Sequence, residues 1–142
     1  MAITYTNVIH DNVIDSLNTL ISDEFSIPVR YDDHVGNQSF LFTPVDDSLV
    51  EIINEGQSRD YSVLISYQLK TGGNYTINNF KQVSNIAERI KRLILNYSAY
   101  SPSSSYKWHN GNISAIEYER DEDDRTILRA LITFNCIVLE VV

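Results

Sequence analysis

The stretch ISAIEYERDEDDRTILRALITFNCIVLEV, residues 113–141, decides the fold of this chain. Its two apolar runs, 113–120 and 126–141, are separated only by the polar residues 121–125. A short polar break between two strand-like runs is typical of a hairpin turn. We therefore expect two long antiparallel strands at the C-terminal end of the domain.

The two faces of the second strand differ in composition. Its first face is wholly apolar: Leu128, Ala130, Ile132, Phe134, Cys136 and Val138. Its second face mixes aliphatic and polar residues: Ile127, Arg129, Leu131, Thr133, Asn135, Ile137 and Leu139. The first face is typical of a core, in which Cys136 is a small buried hydrophobe. The second is expected either at a contact with another subunit or beneath a second intramolecular layer.

Two amphipathic helices are predicted upstream, at residues 4–25 and 79–97, because apolar residues recur there at spacings of three and four. The first stripe is Tyr5, Val8, Ile9, Val13, Leu17, Leu20 and Ile21. The second stripe is Phe80, Val83, Ile86, Ala87, Ile90, Leu93, Ile94 and Tyr97. The first helix should end before Pro28, since the residue preceding a proline is pushed out of helical geometry.

Strand patterns fill most of the chain between these helices. Residues 29–31 and 39–43 are predicted as two short strands joined by a turn at 32–37. Every second residue of 61–69 is apolar, and of the residues between them only Leu64 is apolar, which predicts a longer strand. Residues 44–56 fit either a short helix or a strand. The prediction is a single α+β domain, 1–142, with a mixed or antiparallel sheet, two amphipathic helices packed on one face and a long C-terminal β-hairpin.

Length and composition limit the classes of function. The 142 residues suffice for one domain, and 43% apolar with 21% charged residues is typical of a globular protein. A net charge of −8 disfavours a surface that grips nucleic acid, because neutralising phosphates needs clustered cations. A single cysteine provides neither a disulfide framework nor a zinc quartet. We expect no export signal and no membrane span.

No sequence motif for catalysis is present. The chain has neither a phosphate-binding glycine loop nor a nucleophile elbow, and His10, His34 and His109 are scattered. The triplet 32–34, Asp-Asp-His, has metal-ligand chemistry but is interpreted as a solvated turn. We therefore expect no catalytic residue, cofactor or metal, with an enzyme whose site is assembled from distant residues as an alternative.

Two charged clusters have both a structural and a functional interpretation. The turn between the last two strands carries four carboxylates: Asp121, Glu122, Asp123 and Asp124. They form either a solvated turn or an acidic rim that meets a basic neighbour or lines a pore. The second helix carries three cations: Arg89, Lys91 and Arg92. They form either a solvated helix surface or a basic patch that contacts an acidic neighbour.

Taken together, these segments resemble the tail terminator proteins of long-tailed bacteriophages. The resemblance covers nearly the whole chain and is one of element order, without a short diagnostic motif. It rests on the size, the helices at 4–25 and 79–97, the strand at 61–69, the serine- and aromatic-rich loop at 97–110, and the C-terminal hairpin with Arg129, Leu131 and Thr133.

The resemblance implies a non-enzymatic virion protein of the tail and neck, assembled in the host cytoplasm. It implies a homo-hexameric ring that caps the tail tube, stops its polymerisation and offers the surface on which the head-completion or connector protein docks. In contractile phages the ring also contacts the tail sheath. DNA would pass the lumen without specific binding, which agrees with the net negative charge.

Each contact of such a ring has candidate residues. We assign the subunit interface to Ile127, Arg129, Leu131, Thr133 and Asn135. We assign the loop that contacts the tube or the neighbouring subunit to Tyr100, Tyr106, Lys107 and Trp108. The alternatives are a head-completion or connector protein, and a small ligand-binding α+β domain that stays a monomer or dimer.

Overall fold

The computed structural model describes residues 3, 7–54, 56–70, 79–101, 107–124 and 126–141. Within these residues the protein is α+β, with a five-stranded mixed sheet and two helices. A π-helical segment, Ile9–Ile14, continues directly into α1, and the other elements follow in chain order: α1 Asp15–Glu24, β1 Val29–Arg30, β2 Gln38–Ile53, β3 Gly56–Lys70, α2 Asn79–Asn96, β4 His109–Arg120 and β5 Ile127–Val141.

The sheet has the strand order β1-β2-β3-β5-β4. β2, β3, β5 and β4 pair antiparallel in succession, whereas β1 pairs parallel with β2. β5 therefore lies inside the sheet, between β3 and β4. This position agrees with its composition, because a central strand meets neighbours along both edges.

The N-terminal strands differ from the prediction. Residues 29–31 and 39–43 were expected as two short strands joined by a turn, but Val29 pairs with Phe40 in parallel, so the connection at 31–37 carries the chain back to run beside β1. The second strand is also much longer, since β2 includes most of the ambiguous stretch 44–56. Register shifts at Pro44/Asp46 and Leu49/Glu51 interrupt the two-residue alternation of β2 there, which explains why periodicity did not identify it.

The core lies on one side of the sheet. Its sheet residues are Phe40 and Phe42 of β2, Tyr61, Val63, Ile65, Tyr67 and Leu69 of β3, and Leu128, Ala130, Ile132, Phe134, Cys136 and Val138 of β5. Val13, Leu17 and Ile21 of the first helix and Val83, Ala87, Ile90 and Ile94 of α2 belong to the same buried cluster. Each large aliphatic side chain fully buried there contributes roughly 1.5–3 kcal/mol to folding.

The buried faces of β3 and β5 are those that the sequence predicted. Most described residues of the two helix stripes are also buried or half-buried, but Phe80 and Tyr97 are exposed, Ile14 is buried outside the first stripe, and Tyr5 lies outside the described residues. Cys136 is buried as expected, and burial raises the pKa of its thiol. Among the described residues, no helix is both long and apolar enough to cross a membrane.

Candidate subunit interface

The side of the sheet opposite the core is the mixed face of β5 and its neighbours, here called the open face. It consists of Ser39, Leu41 and Thr43 of β2, Asp60, Ser62, Leu64, Ser66 and Gln68 of β3, Arg129, Leu131, Thr133, Asn135 and Ile137 of β5, and Ala115, Glu117 and Glu119 of β4. The buried hydrophobic residues of the helices all belong to the core cluster, so no described helix packs against this face.

An apolar patch occupies the middle of the open face. Leu64 lies opposite Thr133, and Thr133 lies opposite Ala115 on the other side of β5. Leu131 is the neighbour of Thr133 along this face, and each of Leu64, Leu131 and Thr133 is only half-buried. A half-exposed aliphatic patch on a sheet is stabilised when a second surface covers it, because its contact with water is unfavourable.

A row of ion pairs borders this patch near the β4–β5 turn. Arg129 donates from Nε to Gln68 Oε1 at 3.0 Å. Its Nη1 lies 3.2 Å from Glu119 Oε1 and 3.0 Å from Asp121 Oδ1. Arg129 was predicted as a contact residue of the interface, and in the single chain its charge is already paired.

A second polar row borders the patch on the other side. Asn135 donates from Nδ2 to Ser114 Oγ at 2.7 Å. It also accepts a short hydrogen bond from the Ser62 hydroxyl. These bonds tie β3, β5 and β4 together across the open face and fix the orientation of the Asn135 amide. The predicted interface residues thus form an apolar centre, Leu131 and Thr133, between two polar rows that are satisfied within the chain.

One carboxylate on the open face is not satisfied in this way. Asp60 lies on β3 opposite Ile137, and its Oδ1 is buried without a hydrogen-bond partner among the described residues. Buried polar atoms in folded proteins nearly always have a partner, which is commonly a protein group or an ordered water. A hydrogen-bond donor from a second subunit, or a water trapped beneath one, would satisfy this oxygen.

His34 covers one end of the open face, which sequence reasoning missed. Its ring Nδ1 lies 2.7 Å from Ser39 Oγ, and its Nε2 lies 3.1 Å from Ser66 Oγ. Both serines are buried. The residues 32–34 were interpreted as a solvated turn, and this is wrong for His34, because its imidazole bridges two strands. No local pattern signals this role, since it depends on the register between β2 and β3.

The position of His34 predicts that stability depends on pH. Burial lowers the pKa of His34 below its usual range, and the nearby charge of Arg129 lowers it further. Between this lowered value and the unfolded value near 6.5, the unfolded chain binds more protons, so the free energy of unfolding rises with pH through that window. We expect the melting temperature to fall as the pH is lowered from about 7.5 to 5.5. The His34→Gln variant should show a smaller fall, and equal slopes for the two proteins would contradict this role.

Part of the predicted acidic rim builds the turn instead. Asp121 accepts hydrogen bonds from the backbone N–H groups of Asp123 and Asp124, at 3.1 and 2.8 Å. Asp124 accepts from both the N–H and the hydroxyl of Thr126. These bonds hold the pKa values of Asp121 and Asp124 below their usual range. Glu122 and Asp123 are exposed, so a rim that meets solvent or a neighbour consists of these two side chains.

The predicted basic patch is partly neutralised within the chain. Arg89 donates to Glu24 Oε1 at 2.8 Å and lies over the ring of Phe25 at 4.3 Å. Lys91 pairs with Glu88 at 2.7 Å. Arg92 is exposed and forms no ion pair with the described residues. Of the three cations it is the most available for a partner.

In the aromatic loop, residues 97–110, the prediction for Trp108 was wrong. Trp108 was predicted to contact the tube or a neighbour, but it is 1% exposed and belongs to the core of its own chain. Its indole stacks on Tyr100 at 5.0 Å between ring centroids, meets Phe134 at 5.2 Å, and donates to the carbonyl oxygen of Tyr97 at 2.9 Å. A Cβ on Gly111 would lie 2.8 Å from its Nε1, so this contact requires glycine. An indole is too large to leave in water when an apolar cavity can bury it.

The other residues predicted to contact the tube or a neighbour are Tyr100, Tyr106 and Lys107. Tyr100 pairs with Trp108 as a β-bridge and is half-buried, as is Lys107. Tyr106 lies outside the described residues. Among the described residues, no group of three or more His, Cys, Asp or Glu side chains could hold a metal ion.

The chain matches no family model, and no curated protein is significantly similar to it in sequence.

Proposed function

We propose that this protein is a non-enzymatic structural subunit of a bacteriophage tail, a tail terminator that forms a ring on the end of the tail tube. The observation that carries the proposal is the open face, a broad sheet surface with an apolar centre and no described covering helix. The apolar centre of such a surface costs free energy while it faces water, and a subunit of an assembly gains by burying it.

In this proposal the two helices cover one face of the sheet, and the long C-terminal β-hairpin carries the contact on the other. Leu131 and Thr133 are the centre of the contact, with Ile127, Arg129 and Asn135 around it. Arg129 is already paired with Glu119 and Asp121. Its burial in a subunit contact therefore costs less than the burial of an isolated guanidinium.

The ring is proposed as a homo-hexamer that ends tube polymerisation and presents its far side to the head-completion or connector protein. In a contractile tail it also contacts the sheath. Closed rotational symmetry requires a heterologous contact, in which one surface of each subunit meets a different surface of the next. The net charge of −8 suits a lumen through which DNA slides without adhering. The protein would reside in the tail and neck of the virion after assembly in the host cytoplasm.

The solution mass tests this proposal directly. Light scattering on a sizing column, over a concentration series, is expected to give a species of six times the 16.3 kDa chain mass, either alone or after tail tubes are added. Added protein should also limit the length of tubes grown from tube subunits, as measured by electron microscopy. A concentration-independent monomer that leaves tube length unchanged would overturn the proposal and favour a ligand-binding domain.

A further inference from the structure

The far part of the β2–β3 pair, residues 45–54 and 56–60, is here called the arm. Large apolar side chains are exposed along it: Val45, Leu49, Val50, Ile52 and Ile53. Ile52 is 75% exposed, more than any other large hydrophobic residue of a described helix or strand. β1 pairs with β2 only at Phe40 and Leu41, so the outer edge of β2 has no described neighbour along the arm.

The arm is also acidic. Asp46, Asp47 and Glu51 lie on β2 among the exposed apolar residues, and of these only Asp47 is neutralised, by Arg59 at 2.7 Å. Glu51 forms no hydrogen bond or ion pair with the described residues. An exposed strand edge with a continuous apolar surface is an aggregation hazard unless it is charged or covered. The two acids that are not neutralised, Asp46 and Glu51, disfavour unspecific pairing of this strand edge with other strands and favour a partner surface that is basic.

A groove of matching character lies elsewhere on the same chain, between α2 and the edge strand β4. One end is a depression of about 390 Å³ that involves Arg92, Leu95 and Ile113. The groove continues along β4 past Lys91, Ile116 and Tyr118. Leu95 is 67% exposed, and Ile113 is half-buried. The groove therefore offers the apolar side chains of Leu95, Ile113, Ile116 and Tyr118 among polar residues that include Asn112 and Ser114. The cations Lys91 and Arg92 also line it, and its acid Glu88 is paired with Lys91.

We propose that the arm of one copy of this chain docks in the groove between α2 and β4 of a second copy. Exposed aliphatic residues of the arm face aliphatic residues of the groove, and Glu51 approaches Arg92. Since arm and groove are different surfaces, each copy uses its arm towards one neighbour and its groove towards the other. This is a heterologous contact, and in a closed ring it would add to the contact made by the open face. The inference rests on the proposed function only in that both require self-association.

Charge reversal tests the pairing. The Glu51→Arg and Arg92→Glu variants each place like charges together at the proposed contact, and each is expected to weaken self-association by at least about tenfold. The double variant Glu51→Arg/Arg92→Glu restores opposite charges between neighbours and is expected to recover most of the loss. Both positions are exposed, so circular dichroism and melting temperature should match the wild type.

Matched controls separate this contact from a general effect of charge. Asp23→Arg changes an exposed acid on α1, and Lys81→Glu changes an exposed cation on α2, both outside the arm and groove. Neither is expected to alter the dissociation constant more than about twofold. Single variants that associate normally, or a double variant no better than the singles, would overturn the proposal.

Cross-linking tests proximity without relying on charge. The only native cysteine, Cys136, is buried, so disulfides between chains should form only through the introduced thiols. A mixture of an Ile52→Cys chain with a Leu95→Cys chain should give a disulfide-linked dimer under mild oxidation. A mixture of Ile52→Cys with Leu131→Cys should not, and the opposite pattern would move the arm to the open face and overturn the docking.

The two proposals can fail separately. A ring that caps tubes but ignores both charge reversals would refute the arm and groove contact and leave the proposed function standing. Cross-linking between arm and groove in open chains that never cap tubes would support the contact and refute the terminator.

Discussion

Replacing Trp108 with alanine is expected to lower the free energy of unfolding by about 3–5 kcal/mol. The side chain is 1% exposed, and its ring lies between Tyr100 and Phe134 with centroid distances of 5.0 and 5.2 Å. Its removal leaves a cavity and also leaves the carbonyl of Tyr97 without its donor. The loss is large because one residue joins the loop after α2 to the core side of β5.

A graded set of variants checks this expectation by urea unfolding followed with circular dichroism. Trp108→Phe keeps an aromatic ring but not the hydrogen bond, so it should lower the free energy of unfolding by less than Trp108→Ala does. Tyr118→Ala is the control, since Tyr118 is 44% exposed, and its loss should stay near 1 kcal/mol. If Trp108→Ala unfolds no more easily than this control, Trp108 does not lie in the core. The prediction that Trp108 contacts the tube or a neighbouring subunit would then stand again.

The sequence predicted the core side of the sheet because every second residue is apolar from Tyr61 to Leu69 of β3 and from Leu128 to Val138 of β5. Val63 and Phe134 are directly opposite in the register, as are Ile65 and Ile132, and all four are fully buried. Burial on one face fixes the register, because a slip of one residue would expose the whole apolar set. The helices were predictable because their apolar residues recur at spacings of three and four, and most of the described stripe residues are buried or half-buried, although Phe80 and Tyr97 are exposed.

The features that the sequence did not predict all depend on contacts between distant segments. β2 lost its alternation at two register shifts, and the parallel pairing of β1 needs a connection that no turn motif marks. His34 bridges Ser39 and Ser66, which are 27 positions apart in the sequence and adjacent only in the sheet. Trp108 looked like a loop residue because the burial of its ring depends on Phe134, which lies on β5 and is distant in sequence.

The interface prediction falls between these cases. The mixed composition of the second face of β5 was visible in the sequence, and so were two explanations for it, a subunit contact or a second layer. The structure describes no helix on that face, and it shows Leu131 between Ser66 and Glu117 on the neighbouring strands. What composition could not predict is that the charge of Arg129 is used within the chain, by Glu119 and Asp121.

Replacing Leu131 with lysine is therefore expected to leave the monomer folded and to abolish ring formation. In the single chain the lysine stem can lie along the sheet while its ammonium group reaches water beside Glu117, so the melting temperature should change little. In an assembled interface the same charge would be taken out of water with only Glu117 beside it, and burying even a paired charge costs free energy at each contact. Six such contacts in a ring would multiply this cost.

The measurement is the solution mass by light scattering together with the length of tail tubes grown in the presence of the variant. Leu131→Lys should remain a monomer and leave tube length uncontrolled, whereas Ile3→Lys, a change at a residue that is 84% exposed and distant in sequence from the sheet, should behave as wild type. A Leu131→Lys protein that forms rings and caps tubes would show that the open face lies outside the subunit contact. The arm and groove would then have to supply the contact alone, and the pairing of Glu51 with Arg92 would make the ring sensitive to salt.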